Sequence, residues 1–233
     1  MMGFLVPILM WLAFILVWIG LTKLILALNR HFMKRSLSRS VRLDTQSMAA
    51  LLSLYIDGKV FFCSRWFPKR TLKGTLYEEI PCILILGKKI FVLEVCSSAG
   101  QLRNTDEEFW KVIPTSESSA KKEVQIKNPV LLALDRAALL KELLDKIGYA
   151  SDFSVEAMAI LTNKGHSCLV PAQKNLYTTG KAIAYLSRFA PKTKSERKKM
   201  QKISAPVFAA FERYSLAQRQ AIAKNNKMRE KRK

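Results

Sequence analysis

A long apolar segment near the N-terminus constrains this chain more than any other feature of its sequence. The residues from Phe4 to Leu28 include a single charged side chain, Lys23. A helix rises ~1.5 Å per residue and the hydrocarbon core of a bilayer is ~30 Å thick, so this segment is long enough to cross a membrane once. The sequence therefore predicts a transmembrane anchor within residues 1–30.

The charges after the apolar segment predict its orientation. Five basic residues and no acidic one follow directly, at Arg30, Lys34, Arg35, Arg39 and Arg42. By the positive-inside rule, the short N-terminus lies outside and the C-terminal domain lies in the cytoplasm of a bacterial inner-membrane protein. Residues 31–44 are expected to form a basic juxtamembrane linker.

A cleaved secretory signal is the alternative interpretation of the same segment. Such a signal has basic residues before the apolar run, a shorter apolar core and a cleavage site with small residues. The residues from Leu26 to Arg30 offer no such site. An uncleaved anchor is therefore the interpretation that the sequence favours.

The cysteines and histidines do not form a metal-binding pattern. Cys63, Cys82, Cys96 and Cys168 are scattered, and no pair has the spacing of metal ligands. Unpaired cysteines are typical of a reducing compartment. We therefore expect no structural metal and no cofactor.

The formal net charge of +21 is concentrated at the two flanks of the chain. Residues 188–233 have fifteen basic side chains against three acidic ones, whereas residues 43–187 have eighteen basic and fifteen acidic. Dense basic runs bind anions without sequence preference. Residues 191–233 are expected to form a basic helical tail, whose candidate anion-binding residues are Arg197, Lys198, Lys199, Lys202, Lys227, Arg229, Lys231 and Arg232. The tail could bind anionic lipid, bind nucleic acid or be surrounded by solvent alone, and the sequence leaves these three alternatives open.

The region between the flanks, residues 45–190, has the pattern of one α/β domain. Apolar runs at 82–86 and 90–95 flank a turn at Gly87–Lys89 and predict a hairpin. Asn128, Pro129 and Gly148 predict the start and end of a long helix. Its apolar face is expected to contain Leu131, Leu134, Ala138, Leu139, Leu143 and Ile147.

Shorter patterns complete the predicted elements. We expect a helix over 48–55, a short strand over 59–62 that ends at Cys63, and a turn with the start of a new strand within 65–73. A polar connection is expected over 97–127. A strand is expected over 155–161, a turn over 163–166, and a returning strand over 168–170. Helices are expected over 182–189 and 207–222.

This succession resembles the nuclease-related domain (NERD) family, a branch of the restriction-endonuclease-like fold. The resemblance covers about residues 45–190. Its motif positions in this sequence are Glu79 and Ile80 before one apolar strand, Glu94 and Val95 near the end of the next, then Gly100, Trp110, and an Asn128–Pro129 helix start. The resemblance implies a membrane-associated or DNA-processing domain of mixed α/β structure.

The chain departs from the family pattern at the positions that would perform the chemistry. The resemblance implies an Asp and a Glu that hold a divalent metal, and a Lys two residues after the Glu. Pro81 occupies the Asp position and Cys96 the Lys position, and neither provides the group required. The helix positions of the family's Gln and His are Leu132 and Arg136. Glu94 is expected to be an ordinary carboxylate paired with a basic residue.

These departures favour binding over catalysis. The sequence predicts a membrane-anchored cytoplasmic binding module on a catalytically degenerate nuclease-related domain. DNA transfer or processing and another membrane protein complex are possible contexts; plasmid conjugation and the exclusion of incoming plasmids are examples to which no residue points. One alternative is a membrane-tethered Mg²⁺-dependent nuclease that uses Glu94 with Glu79 and Lys88 as displaced groups. Another is a structural assembly factor that contacts no nucleic acid.

Phe109 and Trp110 are expected to be core or lid aromatics.

Overall fold

The computed structural model describes residues 5–39, 43–72, 74–97, 101–104, 108–113, 123–162 and 173–230. Its helices and strands, in chain order, are α1 (Leu5–Arg39), α2 (Thr45–Tyr55), β1 (Val60–Thr71), β2 (Gly74–Leu86), β3 (Lys89–Cys96), β4 (Gln101–Asn104), β5 (Phe109–Ile113), β6 (Val124–Lys127), α3 (Pro129–Lys146), β7 (Ser154–Leu161), β8 (Leu176–Thr178), α4 (Thr179–Ser187), α5 (Lys194–Tyr214) and α6 (Gln218–Glu230). They form two units, residues 1–40 and 41–233.

The first unit is the apolar helix α1. Its segment Met10–Lys34 has a mean hydropathy of 2.2 and is long and apolar enough to span a membrane. The helix continues through Arg39, so most of the expected juxtamembrane linker is helical. The reason is that no proline or glycine interrupts the chain between Ala27 and Arg39.

The second unit is built on a five-stranded sheet with the order β1-β2-β3-β7-β8. The predicted hairpin is confirmed, because β2 and β3 pair antiparallel on either side of Gly87 and Lys88. The predicted strand over 155–161 is also confirmed as β7, which pairs parallel with β3. The strand end expected at Cys63 was wrong, whereas the turn expected within 65–73 lies at the end of that range, at Leu72. Strand β1 continues past Cys63 to Thr71, because residues 65–71 pair with residues 74–80 of β2.

Helix α3 lies on one face of this sheet and begins and ends where the sequence predicts. Asn128 caps it by accepting a hydrogen bond from the Val130 N–H, and Gly148 follows its end with φ 76°. Its expected apolar face was partly wrong, since Leu131 and Leu134 are exposed. The buried face instead contains Val130, Ala133, Ala137, Leu139, Leu140, Leu143 and Leu144. The small alanines allow the helix to approach β3 and β7 closely.

The opposite face of the sheet is covered by α4. Phe91 of β3 contacts Tyr185 and Phe189, with ring centroids 6.3 Å and 5.5 Å away, while its neighbours Ile90 and Val92 face the α3 side. Helix α2, predicted over 48–55, is confirmed and contacts α4. The domain is therefore a sheet between two helical layers.

The connection expected to be polar over 97–127 contains a second sheet, with the order β4-β5-β6. Trp110 is completely buried in it and packs with Cys96, Leu102 and Val112. The prediction that Trp110 is a core aromatic is confirmed. The sequence did not predict this second sheet, because its strands are only four or five residues long and their apolar pattern is correspondingly short. Gly100, the turn over 163–166 and the strand expected over 168–170 lie outside the described residues.

The chain after residue 190 belongs to the same unit as the sheet, and residue 190 is not a domain boundary. Val207 and Phe211 of α5 are buried in the main core, where the Phe211 ring lies 5.8 Å from Phe62 and 5.7 Å from Phe67. The helix expected over 207–222 is interrupted, because Leu216 forms a β-bridge with Trp66. The basic helices are thus packed on the domain by their apolar residues.

Candidate functional site

A cleft of about 680 Å³ lies beside the outer half of the β1–β2 ribbon. Arg136 of α3 forms one wall, and Ile222, Asn225 and Asn226 of α6 form another. The strands contribute Trp66, Lys69, Thr71, Leu76, Tyr77, Glu78 and Glu79. Strand β3 pairs with β2 only as far as Cys82, so this part of β2 is left without a neighbouring strand on that side. The cleft occupies the space that results.

Asn225 closes this free edge of β2 with two hydrogen bonds. Its side-chain oxygen accepts a hydrogen bond from the Tyr77 N–H at 2.8 Å, and its amide nitrogen donates to the Tyr77 carbonyl at 2.9 Å. The Lys224 ammonium lies 5.2 Å from the centroid of the Tyr77 ring. A covered edge cannot pair with another chain. Helix α6, expected to belong to a separate tail, therefore completes the cleft.

Glu94 and Arg136 form an ion pair next to the cleft. Their side chains are only 15% and 14% exposed, so both charges are largely removed from water. Burial lowers the pKa of the Arg136 guanidinium, and the charges of Glu78 and Glu79 oppose this shift. The expectation that Glu94 pairs with a basic residue is confirmed. A carboxylate held in this way is already neutralised by a protein cation.

Cys96, which stands where the NERD resemblance implies a lysine, lies in apolar surroundings. Cys96 is 7% exposed and lies in the apolar cluster around Trp110. Pro81 lies in β2 and has no ligand atom. Among the described residues, no group of three or more histidine, cysteine, aspartate or glutamate side chains is arranged to hold a metal ion.

The structure separates Lys88 from the other residues considered as displaced catalytic groups. Glu79 lines the cleft together with Arg136, the partner of Glu94. Lys88 lies in the turn before β3, where its ammonium is 3.9 Å from the carboxylate of Asp152. Glu94 lies six positions after Lys88 in the chain, which corresponds to ~20 Å along a strand. Lys88 therefore cannot reach Glu94.

Two residues that line the cleft each have a buried hydrogen-bond donor with no acceptor in the described part of the chain. These donors are the indole Nε1 of Trp66 and the Nε of Arg136. Buried donors without acceptors are costly unless water or a ligand accepts from them. The neighbouring Lys69 ammonium is already bound to the Glu78 carboxylate at 2.6 Å. On the cleft wall, Lys69 and Glu78 therefore neutralise each other.

The predicted anion-binding residues lie on the outer surfaces of α5 and α6. Lys198, Lys199, Lys202 and Lys227 are exposed, whereas Arg197 donates to Asp57 at 2.9 Å. The side chain of Arg229 and residues Lys231 and Arg232 lie outside the described parts of the chain. Lys194, Lys198 and Lys202 have i, i+4 spacing and share the exposed side of α5, opposite the buried Ser204, Val207 and Phe211.

Sequence reasoning missed the cleft because its walls come from distant parts of the chain. Trp66, Arg136 and Asn225 are separated by 70 residues or more, and only Glu79 and Arg136 were noticed, through the family motif. Asn225 lies between Lys224 and Lys227, and the positive charge of this region indicated an anion-binding tail rather than a contact with β2.

Comparisons with known proteins add no relationship: no protein-family model, curated protein or solved structure matches this chain.

Proposed function

We propose that this protein is a membrane-anchored binding module built on a NERD-like frame that lacks metal-dependent nuclease chemistry. The ion pair of Glu94 with Arg136 is the observation that carries this proposal. A metal site of this type needs carboxylates that are free to bind a hard cation. Here the carboxylate is neutralised by a buried arginine, which also occupies the position where the family has a histidine.

The order of elements supports the NERD-like frame. Glu94 lies near the end of β3, the hairpin with β2 precedes it, and the helix opened by Asn128 and Pro129 follows and packs against β3 and β7. At position 96, the buried apolar surroundings would make a charged lysine costly.

The first experiment tests for nuclease activity in the full chain in detergent micelles. DNA and RNA, single-stranded and double-stranded, would be incubated with Mg²⁺ or Mn²⁺. We expect no cleavage by the natural protein or by Glu94→Gln. Cleavage that disappears in Glu94→Gln would contradict the proposal and favour the membrane-tethered nuclease instead.

The binding partner that we propose for the basic surface is the anionic inner-leaflet lipid. Lys194, Lys198 and Lys202 repel one another at i, i+4 spacing, and an adjacent anionic surface would relieve this repulsion. Each basic residue near such a surface contributes ~1 kcal/mol. The anchor α1 keeps the domain at a membrane surface, which raises the effective concentration of lipid over that of any free anion. This assignment assumes the N-out orientation in a bacterial inner membrane.

The second experiment measures which lysines a membrane protects. The full chain would be placed in nanodiscs with neutral or anionic lipids and labelled with an amine-reactive reagent at low and high salt. We expect slower labelling of Lys198 and Lys202 in anionic discs at low salt, and no difference for the exposed Lys181 of α4. Equal labelling in both discs would contradict lipid binding. Protection by added DNA in neutral discs would identify nucleic acid as the partner.

A further inference from the structure

Two cysteines are direct neighbours across the β1–β2 ribbon. Cys63 and Cys82 are Cα partners in the antiparallel register, so their side chains lie on the same face of the sheet. Cys82 is buried, whereas Cys63 is only partly buried and can be reached from solvent. A hydrogen bond between their side chains, with Cys82 as the donor, shifts the pKa of both thiols.

The backbone next to this pair is irregular. The register continues from Cys63–Cys82 to Arg65–Ile80, but Ser64 and Pro81 between them are not paired. Ser64 has φ 50°, and Pro81 has no N–H to donate. Phe62 and Phe67 are five residues apart and yet enter the same core cluster, so β1 changes the face that it buries at this point. The cysteines therefore lie at a local break in the ladder.

We propose that Cys63 and Cys82 form a reversible dithiol–disulfide pair that is oxidised by a hydroperoxide. Directly opposed residues of antiparallel strands have Cα atoms roughly 4.5 to 5.5 Å apart. This separation lies within the roughly 4.4 to 6.8 Å that a disulfide requires, so the bond can form with little backbone movement. The proposal concerns a modification site and does not depend on the proposed function.

The oxidation is a two-electron reaction in two steps. The Cys63 thiolate attacks one oxygen of the hydroperoxide, the O–O bond breaks, and hydroxide or alkoxide leaves to give a sulfenic acid at Cys63. The Cys82 sulfur then attacks the Cys63 sulfur, the S–O bond breaks, and the hydroxyl group leaves as water with the proton from Cys82. A dithiol reductant reverses the reaction by thiol–disulfide exchange.

The electrostatics of the pair assign the roles of the two sulfur atoms. The hydrogen bond from Cys82 lowers the pKa of Cys63 to about 7, although burial opposes this shift. The same hydrogen bond and burial raise the pKa of Cys82. Cys63 is therefore the accessible thiolate that meets the oxidant, and Cys82 is the buried resolving thiol.

The location of the pair connects the modification to the cleft. Trp66 and Glu79 are Cα partners three residues further along the same ribbon, and both line the cleft. A disulfide between Cys63 and Cys82 would tie the two strands together next to the unpaired Ser64 and Pro81. Oxidation therefore limits the movement of one strand against the other next to the cleft.

Peptide mapping of the full chain in detergent micelles tests the proposal directly. The four cysteines lie in four different tryptic peptides, 60–65, 74–88, 90–103 and 165–174. The reduced protein would be treated with equimolar hydrogen peroxide, blocked with N-ethylmaleimide, digested and analysed by mass spectrometry. We expect peptides 60–65 and 74–88 to be joined by a disulfide that dithiothreitol removes. Cys168→Ser, the matched control, should give the same product.

Three results would overturn the proposal. They are complete alkylation of both cysteines after peroxide, oxidation of Cys63 to a sulfinic acid without the cross-link, and a disulfide that involves Cys96 or Cys168 instead. The mapping needs no substitution within the pair, so a folding defect cannot affect it.

The pH dependence of alkylation gives a second measurement. The rate at Cys63 should reach half of its maximum at about pH 7 in the natural protein. In Cys82→Ala the midpoint should rise toward the ordinary thiol value of ~8.5, because the hydrogen bond is lost. An unchanged midpoint in a folded Cys82→Ala protein would show that the two thiols do not interact, and would contradict the proposal.

Discussion

The buried ion pair between Glu94 and Arg136 makes the stability of the domain unusually sensitive to one substitution. Replacing Arg136 with methionine keeps most of the side-chain volume and removes the positive charge. Glu94 then remains about 15% exposed with no cation, and Glu78 and Glu79 add further negative charge nearby. Breaking a buried pair on one side costs roughly 3 to 5 kcal/mol. Because some solvent reaches this pair, we expect Arg136→Met to lower the free energy of unfolding by about 3 kcal/mol.

The double variant tests whether the loss comes from the unpaired charge. Exchanging both partners for apolar residues removes the uncompensated charge as well as the pair. The combination Arg136→Met with Glu94→Leu should therefore recover most of the lost free energy, as buried pairs replaced by apolar groups often do. Urea unfolding of the full chain in detergent, followed by circular dichroism, measures each value.

Another ion pair on the same helix provides the control. Lys146 and Glu142 lie 2.7 Å apart with side chains 34% and 49% exposed. Lys146→Met should change the free energy of unfolding by less than ~0.5 kcal/mol, because exposed i, i+4 pairs contribute little. A loss below ~1 kcal/mol for Arg136→Met, or a double variant as unstable as the worse single variant, would refute the reasoning.

Three further predictions concern other parts of the domain. Phe211→Ala should cost ~3 to 5 kcal/mol in urea unfolding, because Phe211 is completely buried between Phe62 and Phe67, and a small loss would show that α5 is not part of the core. Asn225→Ala should cost ~2 kcal/mol through two lost hydrogen bonds to Tyr77, whereas Asn226→Ala serves as the exposed control. In the natural protein, the hydrogen bond that Tyr185 donates to Glu156 raises the pKa of Tyr185 to about 12. Tyr185→Phe removes this bond, so the variant should be less stable than the natural protein up to the unfolded-state pKa of ~10, and the difference should fade as the pH rises toward 12. A pH-independent difference would contradict the last prediction.

Local sequence signals predicted the elements that have clear capping residues or continuous apolar runs. The ends of α3 followed from Asn128, Pro129 and Gly148, because capping and positive φ depend on the residue itself. The β2–β3 hairpin followed from two apolar runs around Gly87. The face of α3 could not be predicted correctly, because Ala133 and Ala137 are buried only by the approach of the sheet, while larger leucines remain exposed.

The candidate site was predicted only in part, for a related reason. The family motif directed attention to Glu94, and the sequence suggested that some basic residue would pair with it. The identity of that residue depends on α3 crossing β3 at position 136, which is a tertiary fact. The contribution of α6 was missed, because hydrogen bonds from Asn225 to a strand more than a hundred residues earlier leave no local pattern.

The sequence by itself determined the membrane-compatible helix, the concentration of positive charge in the C-terminal region and the elements of the α/β domain. These features depend on composition and on short-range periodicity, both of which can be read from a short segment of sequence. Tertiary structure alone decided that α5 and α6 belong to the domain, that Arg136 neutralises Glu94, and that Cys63 meets Cys82. Each of these depends on strand register and packing between distant segments, and contacts at long sequence separation are specified by the whole core rather than by any segment within it.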